Sequence, residues 1–116
     1  MYTRTTDEAA RDSLYGNRWA RFDAWDSGNV DFWMDEGGEV AAYLRWDDRD
    51  ANGIAFFEVR DQGNGIGSQL IRALQAERPA LYISGDLDTA ACARFWHRLG
   101  LVGDEVELYD GTAVRF

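Results

Sequence analysis

A glycine-rich stretch in the middle of the chain has the composition of a phosphate-binding loop. Residues 62–67 read Gln-Gly-Asn-Gly-Ile-Gly, between an apolar run at 54–59 and a segment at 68–77 whose apolar residues recur at helical spacing. Glycine lets the backbone approach a pyrophosphate closely, and the start of a helix offers N–H groups without intrahelical partners and a partial positive charge. The stretch therefore predicts an anion site between a strand and a helix, with a tight connection that binds nothing as the alternative.

The spacing of the glycines does not fit two better-known phosphate loops. A P-loop needs Gly-Lys-Ser/Thr, and no lysine occurs here; a dinucleotide-binding fingerprint needs Gly-x-Gly-x-x-Gly, but Ser68 stands three residues after Gly65. The pattern that fits is Gln/Arg-x-x-Gly-x-Gly/Ala, with Gln62, Gly65 and Gly67 at its defined positions. This pattern is the coenzyme A (CoA) pyrophosphate loop of the GNAT superfamily of N-acetyltransferases, which the chain resembles.

Two further segments carry the same resemblance, which thus covers nearly the whole chain. Residues 95–101, Phe-Trp-His-Arg-Leu-Gly-Leu, resemble the end of the family's last helix, and residues 2–8 are similar to its first strand and the beginning of its first helix. The resemblance implies acetyl-CoA or another acyl-CoA as co-substrate. It also implies CoA-binding residues in the strand end, the loop and the last helix: Val59, Arg60, Gln62, Gly63, Asn64, Gly65, Ile66, Gly67, Ser68, Thr89 and Trp96.

The strand before the loop is implied to hold the pantetheine arm. Val59 and its neighbours would bind it through backbone hydrogen bonds, and a strand N–H near Val59 could polarise the thioester carbonyl. Only Arg60 and Asp61 separate Val59 from Gln62, fewer residues than the family usually has. The bulge that separates the neighbouring strand in the family is therefore expected to differ here.

Acyl transfer to an amine also requires groups that move protons, and here the chain departs from the family. Many members have a general-acid tyrosine in the last helix, where this chain has Trp96, whose indole N–H only donates. Trp96 is therefore expected in the core or in the wall of the CoA tunnel. Glu58, a charge within an apolar strand, and His97 are the candidate catalytic residues, with a strand role and a surface or capping role as alternatives. Asp31 and Asp35 are further candidate carboxylates.

Three other residues have both a structural and a functional interpretation. Thr89 aligns with a family asparagine that often meets the pantetheine, but it can equally cap the last helix. Cys92 is interpreted as a small buried residue rather than a nucleophile, because no base is placed beside it. Trp33 is a candidate for the wall of a substrate groove, with a core or dimer contact as the alternative.

Composition limits the class of protein. The 116 residues, 46% hydrophobic and 14% aromatic, predict one globular domain spanning 1–116. The net charge of −9 argues against nucleic acid as a partner, although an acidic surface could attract cationic amines. The chain has no apolar run long enough for a membrane span and no signal pattern, so a cytoplasmic location is expected. One cysteine and one histidine predict no internal disulfide and no structural metal site.

The elements that must position these residues are predicted in the order β-α-β-β-β-α-β-α-β-β. Helices are expected over 6–25, opened by a Thr5-x-x-Glu8 capping box and with a break near Gly16-Asn17 as an alternative, over 68–77, and from 88 or 89 to a stop at Gly100. Strands are expected at 2–5, 30–36, 39–47, 54–60, 81–83, 105–109 and 112–116, with hairpin turns at Gly37-Gly38 and Asp110-Gly111. The fold class is therefore α/β (α+β), a GNAT-like mixed sheet with helices on both faces and strand 54–60 at its centre.

Two functions are compatible with this pattern. The first is an acyl-CoA-dependent N-acyltransferase, in the simplest case an acetyltransferase, whose acceptor is a primary amine on a small molecule or a protein. The alternative is a non-catalytic GNAT-like module that binds CoA or a protein partner. Its evidence is the missing tyrosine, together with the lack of the carboxylate that many family members have earlier in the central strand, on the face of Val59; Phe57, Ala55 and Gly53 stand there instead. The acceptor itself is left open, as is a homodimer paired through an edge strand.

Overall fold

The structure is a computed structural model that describes residues 1–116, apart from the side chain of Phe22. The elements in chain order are β1 (Thr3–Thr5), α1 (Glu8–Ser13), α2 (Phe22–Trp25), β2 (Val30–Met34), β3 (Val40–Asp47), β4 (Asp50–Val59), α3 (Ile66–Glu77), β5 (Tyr82–Ile83), α4 (Ala90–Arg98), β6 (Glu105–Glu107) and β7 (Ala113–Arg115). The predicted α/β class and element order are confirmed. The helical region expected over 6–25 is two short helices, and the chain turns between them at Gly16, whose φ is +87°, near the break that the sequence offered as an alternative.

One sheet of five strands, in the order β1-β2-β3-β4-β5, forms the body of the described chain. Its strands are antiparallel except for β5, which runs parallel to β4. The prediction that strand 54–60 is central is wrong, since β3 occupies the middle and is buried on both faces. The closing hairpin also forms its own sheet, β6–β7, instead of joining the first; it is linked to the chain after β5 by a hydrogen bond from Tyr109 N to Leu87 O (2.8 Å).

Helices cover both faces of the sheet, as predicted, and each face has its own core. The face under α3 and α4 buries Trp33, Ala42, Leu44, Trp46, Ile54, Leu70, Ile71, Leu74, Ala93, Trp96 and Leu99. The face under α1 and α2 buries Ala10, Leu14, Ala24, Trp25, Val30, Phe32, Val40 and Tyr43. Trp33 is thus a core residue rather than a groove wall. An irregular register between Trp33 and Met34 moves Val40 to the opposite face from Ala42, although simple alternation predicts one face for both.

The turns differ from the predictions in detail. The β2–β3 connection is longer than Gly37-Gly38, because Asp35 N donates to Glu39 O (2.8 Å) and the positive φ of +80° falls on Gly38. The connection between the strands expected at 39–47 and 54–60 is a tight hairpin, with Asp47 opposite Asp50.

The predicted capping box is not formed at the start of α1. Asp7 is the N-cap of this helix, and Thr5 Oγ1 accepts a hydrogen bond from Asp7 N (3.2 Å). Within the described residues, no helix is long and apolar enough to cross a membrane.

Candidate functional site

The glycine-rich loop connects the end of β4 to α3 and has the backbone that only glycine adopts easily. Gly63 and Gly65 have φ values of +85° and +74°, a region that costs L-residues about 1–2 kcal/mol. A Cβ at either position would meet no atom within 4 Å. The side chains of Gln62 and Asn64 are exposed as well. The loop therefore presents bare backbone to open space, which is the arrangement that an approaching anion requires.

The N-terminus of α3 is left without a cap. Its N-cap is Gly65, which has no side chain to accept a hydrogen bond, and the first turn contains no acidic residue. The first intrahelical bond from the N-terminal side is Gln69 N to Gly65 O (3.1 Å), so the N–H groups of residues 66–68 precede the helical ladder. In α4, by contrast, Thr89 Oγ1 accepts from Cys92 N (3.1 Å). Thr89 thus caps the N-terminus of α4, whereas the N-terminus of α3 keeps free N–H groups that could bind an anion.

The second half of β4 has a strand on one side only. Ile54 O accepts hydrogen bonds from Ser84 N (2.9 Å) and Gly85 N (3.1 Å), and pairing with β5 involves Gly53 and Ile54. A Cβ at Gly85 would collide with the Ala55 carbonyl, so glycine is needed where the two chains part. Beyond this point, β3 is the only strand that pairs with β4 in the described chain.

The register of β3 and β4 shows which backbone groups face this open edge. Arg60 N donates to Ala41 O (2.9 Å), so alternate N–H groups of β4 point toward β3. The N–H groups of Phe57 and Val59 therefore point away from β3, toward the open side. Gly67 in the first turn of α3 faces the same place, because a Cβ there would lie 3.4 Å from side-chain atoms of Phe57, Val59 and Phe95. Val59 and the loop are thus brought together, as predicted.

Glu58 lies on the opposite face of β4, toward α2, as strand alternation predicts. Its Oε1 accepts hydrogen bonds from Tyr43 Oη (2.8 Å) and from Arg21 N (3.2 Å). Tyr43 stands directly across the sheet in β3, and Arg21 N also donates to its hydroxyl (3.1 Å). Burial is the main cause that raises the pKa of Tyr43 well above its ordinary value, and the Glu58 carboxylate is the second. The sequence analysis named Glu58 as a candidate but not Tyr43, whose contact with Glu58 depends on the register of β3 and β4.

Arg60 is held by carboxylates rather than presented to the loop. Its guanidinium pairs with Asp35 (3.1 Å) and Asp61 (3.1 Å), and more loosely with Glu39 (3.5 Å). The hydrogen bond to Asp61 is the first cause that raises the pKa of Arg60. The pKa of Asp35 is lowered, first by the backbone N–H of Glu39 and then by Arg60. These contacts tie the start of the loop to the β2–β3 turn.

The other candidate carboxylates and the histidine have partners elsewhere. Asp31 is buried and faces Arg4 Nε (3.7 Å). Nε2 of His97 is 2.8 Å from Asp104 Oδ1, and its ring stacks on Phe116 at 4.3 Å. His97 therefore links α4 to the terminal hairpin, which matches its predicted surface role.

Trp96 lies in the core against the open strand. It is 5% exposed, and its ring centroid is 6.0 Å from Phe57 and 4.7 Å from Phe95. Cys92, one turn earlier in α4, is partly buried, and burial raises the pKa of its thiol. Both positions agree with the structural interpretations made from the sequence.

Comparison with known proteins places the fold. No protein-family model matches the chain, and no curated protein matches it in sequence. A solved structure of a candidate acetyltransferase from Deinococcus radiodurans R1 is similar to it, with a TM-score of 0.62 and 19% identity, over 93% of this chain and 85% of that chain. At this identity the likeness concerns the fold alone, so the chain has an acetyltransferase-like fold.

Proposed function

We propose that this protein is a GNAT-type N-acyltransferase that moves the acyl group of an acyl-CoA, acetyl in the simplest case, to a primary amine. The observation that carries the proposal is the N-terminus of α3, which has glycine at its N-cap position and no side-chain cap, and which meets the unpaired edge of β4 at Val59. The likeness of the fold to that of a candidate acetyltransferase supports it. The net charge of −9 favours a cationic acceptor, either a small molecule or a protein side chain.

The residues around this junction fit an acyl-CoA. The N–H groups of the loop and of the first turn of α3 would hold the pyrophosphate, because they have no side-chain cap and no acidic neighbour in that turn. The outward N–H groups of Phe57 and Val59 would bind the pantetheine arm and the thioester carbonyl. The rings of Phe57, Phe95 and Trp96 form an apolar wall beside this edge. The acyl-CoA itself supplies an activated acyl carbon.

Glu58 is the group best placed to take a proton from the acceptor. The donor approaches from the α3 side of β4, so the amine must come from the α2 side, where the Glu58 carboxylate lies. Glu58 would take one proton from the ammonium R–NH3⁺. The free amine then forms the C–N bond as the C–S bond breaks, and the second departing N–H proton ends on the sulfur. The products are the amide and CoA thiol, with one proton left on Glu58 for release to water.

A CoA-binding module without catalysis is the second candidate. Two residues of α4 favour it. Trp96 is buried at the position of the acid tyrosine, and His97 forms a hydrogen bond with Asp104. Neither offers a proton to a leaving thiolate. Such a module would bind CoA, or a protein partner, without turnover.

Thiol release from acetyl-CoA over a panel of primary amines tests the enzyme against the module. We expect turnover with at least one amine, and Glu58→Gln should lower kcat about 10²-fold while the affinity for acetyl-CoA stays the same. The acid limb of the pH–rate profile should disappear in this variant. Glu107→Gln, the same charge change on the exposed terminal hairpin, is the control.

Two results would count against this assignment. Binding of acetyl-CoA without thiol release for any amine favours the module. A Glu58→Gln variant with normal turnover and an intact pH profile removes Glu58 from the proton path.

A further inference from the structure

We infer that Tyr43 is a positioning residue for the reaction: it fixes the orientation of the Glu58 carboxylate through one oxygen and leaves the second carboxylate oxygen for the acceptor amine. The inference rests on the proposed function and adds a residue that lies outside the loop, the open strand edge and α4. The observation behind it is the hydroxyl–carboxylate contact of 2.8 Å across β3 and β4.

The hydroxyl group of Tyr43 has a single acceptor at a short distance, the Glu58 carboxylate. The side chain is fully buried, with its ring stacked on Phe56 at 5.9 Å and near Trp19 at 5.8 Å. The Arg21 carbonyl oxygen lies 3.5 Å from the hydroxyl, against 2.8 Å for Glu58 Oε1, so the hydrogen goes to Glu58. The hydroxyl oxygen in turn accepts from Arg21 N (3.1 Å). The Tyr43 side chain is therefore held by packing, and its hydroxyl group both donates to Glu58 and accepts from Arg21 N.

Glu58 is oriented through one of its two oxygens. Oε1 receives both the tyrosine hydroxyl and the Arg21 N–H, whereas no hydrogen bond reaches Oε2 from any residue that the structure describes. Two donors on one oxygen hold the side chain in a single orientation. The other oxygen is then available to take a proton from an amine.

Tyr43 is not itself the acid that the last helix lacks. Because burial strongly raises its pKa, the phenol keeps its proton throughout the pH range of the assay. It can donate a hydrogen bond but does not release the proton to a thiolate. Its contribution to the reaction passes through Glu58.

Arg21 brings a charged side chain close to Glu58, since its backbone N–H contacts the carboxylate. Arg21, just before α2, directs its guanidinium over Phe56 at 5.2 Å and pairs with Asp88 at 3.4 Å. Asp88 lies just before α4. The side chains of Arg21 and Asp88 are exposed, so water screens their charges. The tyrosine hydroxyl is buried, and its removal should therefore disturb the Glu58 carboxylate more than removal of either charge.

The test compares Tyr43→Phe with Tyr82→Phe. Tyr82 Oη donates to Asp50 Oδ2 (2.9 Å) at the beginning of the same strand, so the control removes the same type of bond away from the site. We expect Tyr43→Phe to lower kcat about tenfold, with an unchanged KM for acetyl-CoA and an acid limb displaced to higher pH. Tyr82→Phe should leave all three unchanged. In a Glu58→Gln background, Tyr43→Phe should cause no further loss, because the residues act as a unit.

The outcomes separate this inference from the proposed function. If the wild-type protein turns over and folded Tyr43→Phe has the same kcat and pH profile, the inference about Tyr43 is wrong but the proposed function still stands. Equal losses with and without Glu58 also overturn it, since the effect would then be structural. A wild-type protein without acetyl-CoA binding or thiol release overturns both. If Tyr43→Phe does not fold, a fluorotyrosine at position 43 changes the acidity of the hydroxyl while retaining it, and an unchanged acid limb then contradicts the inference.

Discussion

Trp96 shows how a single residue can separate CoA binding from proton chemistry. Its ring packs between Phe57, on the open strand, and Phe95, on its own helix. An indole in this place can shape an apolar wall but cannot release a proton near neutral pH. Under the proposed function, proton transfer would therefore fall to Glu58 on the other face of β4, where Tyr43 donates to it.

Substitutions at Trp96 should affect stability more than turnover. Trp96→Phe keeps an aromatic ring in the core, so most activity should remain. Trp96→Ala should lower the free energy of unfolding by about 3–5 kcal/mol, because it leaves a cavity where a buried ring stood. Urea denaturation and thiol release measure the two effects. Complete loss of turnover in a stably folded Trp96→Phe protein would show that the indole has a specific role in the reaction.

The three hairpins of the fold share one local device. In each, an aspartate side chain accepts a backbone N–H of the turn: Asp35 from Glu39 (2.9 Å), Asp47 from Arg49 (2.8 Å) and Asp110 from Thr112 (2.9 Å). These hydrogen bonds are the first cause that lowers the pKa of Asp35 and of Asp47 below the ordinary value of 3.8. The pKa of Asp110 is lowered first by a hydrogen bond from the Thr112 side chain and then by the Thr112 N–H. The charged carboxylates therefore stabilise the turns that set the strand register.

Acid should weaken these turns. Because the pKa of each aspartate is lower in the folded state than in the unfolded state, its contribution is fully present above about pH 4 and is lost as the pH falls through the folded value. Asp110→Asn can still accept the Thr112 N–H but does not titrate. We expect its urea midpoint to fall less between pH 6 and pH 3 than that of the wild type. An identical fall in both proteins would show that this turn does not contribute to acid lability.

Element types and the two hairpins β2–β3 and β6–β7 were predictable from the sequence, whereas the order of the strands in the sheet and their exact register were not. Helical spacing in 66–77 and the glycine stop at Gly100 act over a few residues, so α3 and α4 fall where periodicity and capping predict them. The strand register is irregular near Trp33 and Trp46, so the residues beyond these points point to the opposite face of the sheet. No local sequence pattern predicts these irregularities. For this reason the central place of β3, the separate β6–β7 sheet and the contact of Tyr43 with Glu58 emerge only from the folded chain.

The molecule as a whole combines a strongly acidic charge with a candidate site for an anion. A net charge of −9 repels phosphates at long range, and the nearest cation of the loop, Arg60, is already paired with carboxylates. Binding of CoA must then depend on short-range contacts with backbone N–H groups at the start of α3. The central claim is therefore that this backbone cradle holds the pyrophosphate.

Calorimetric titration with acetyl-CoA of the wild type, Gly65→Glu and Gly111→Glu tests this claim most directly. Gly65 and Gly111 both have positive φ (+74° and +87°) and open surroundings, so the two substitutions bring the same strain and charge. We predict saturable binding by the wild type and by Gly111→Glu, and none by folded Gly65→Glu, because its carboxylate and Cβ would enter the pyrophosphate site. Wild-type affinity in folded Gly65→Glu, or no binding by the wild-type protein, would contradict the account.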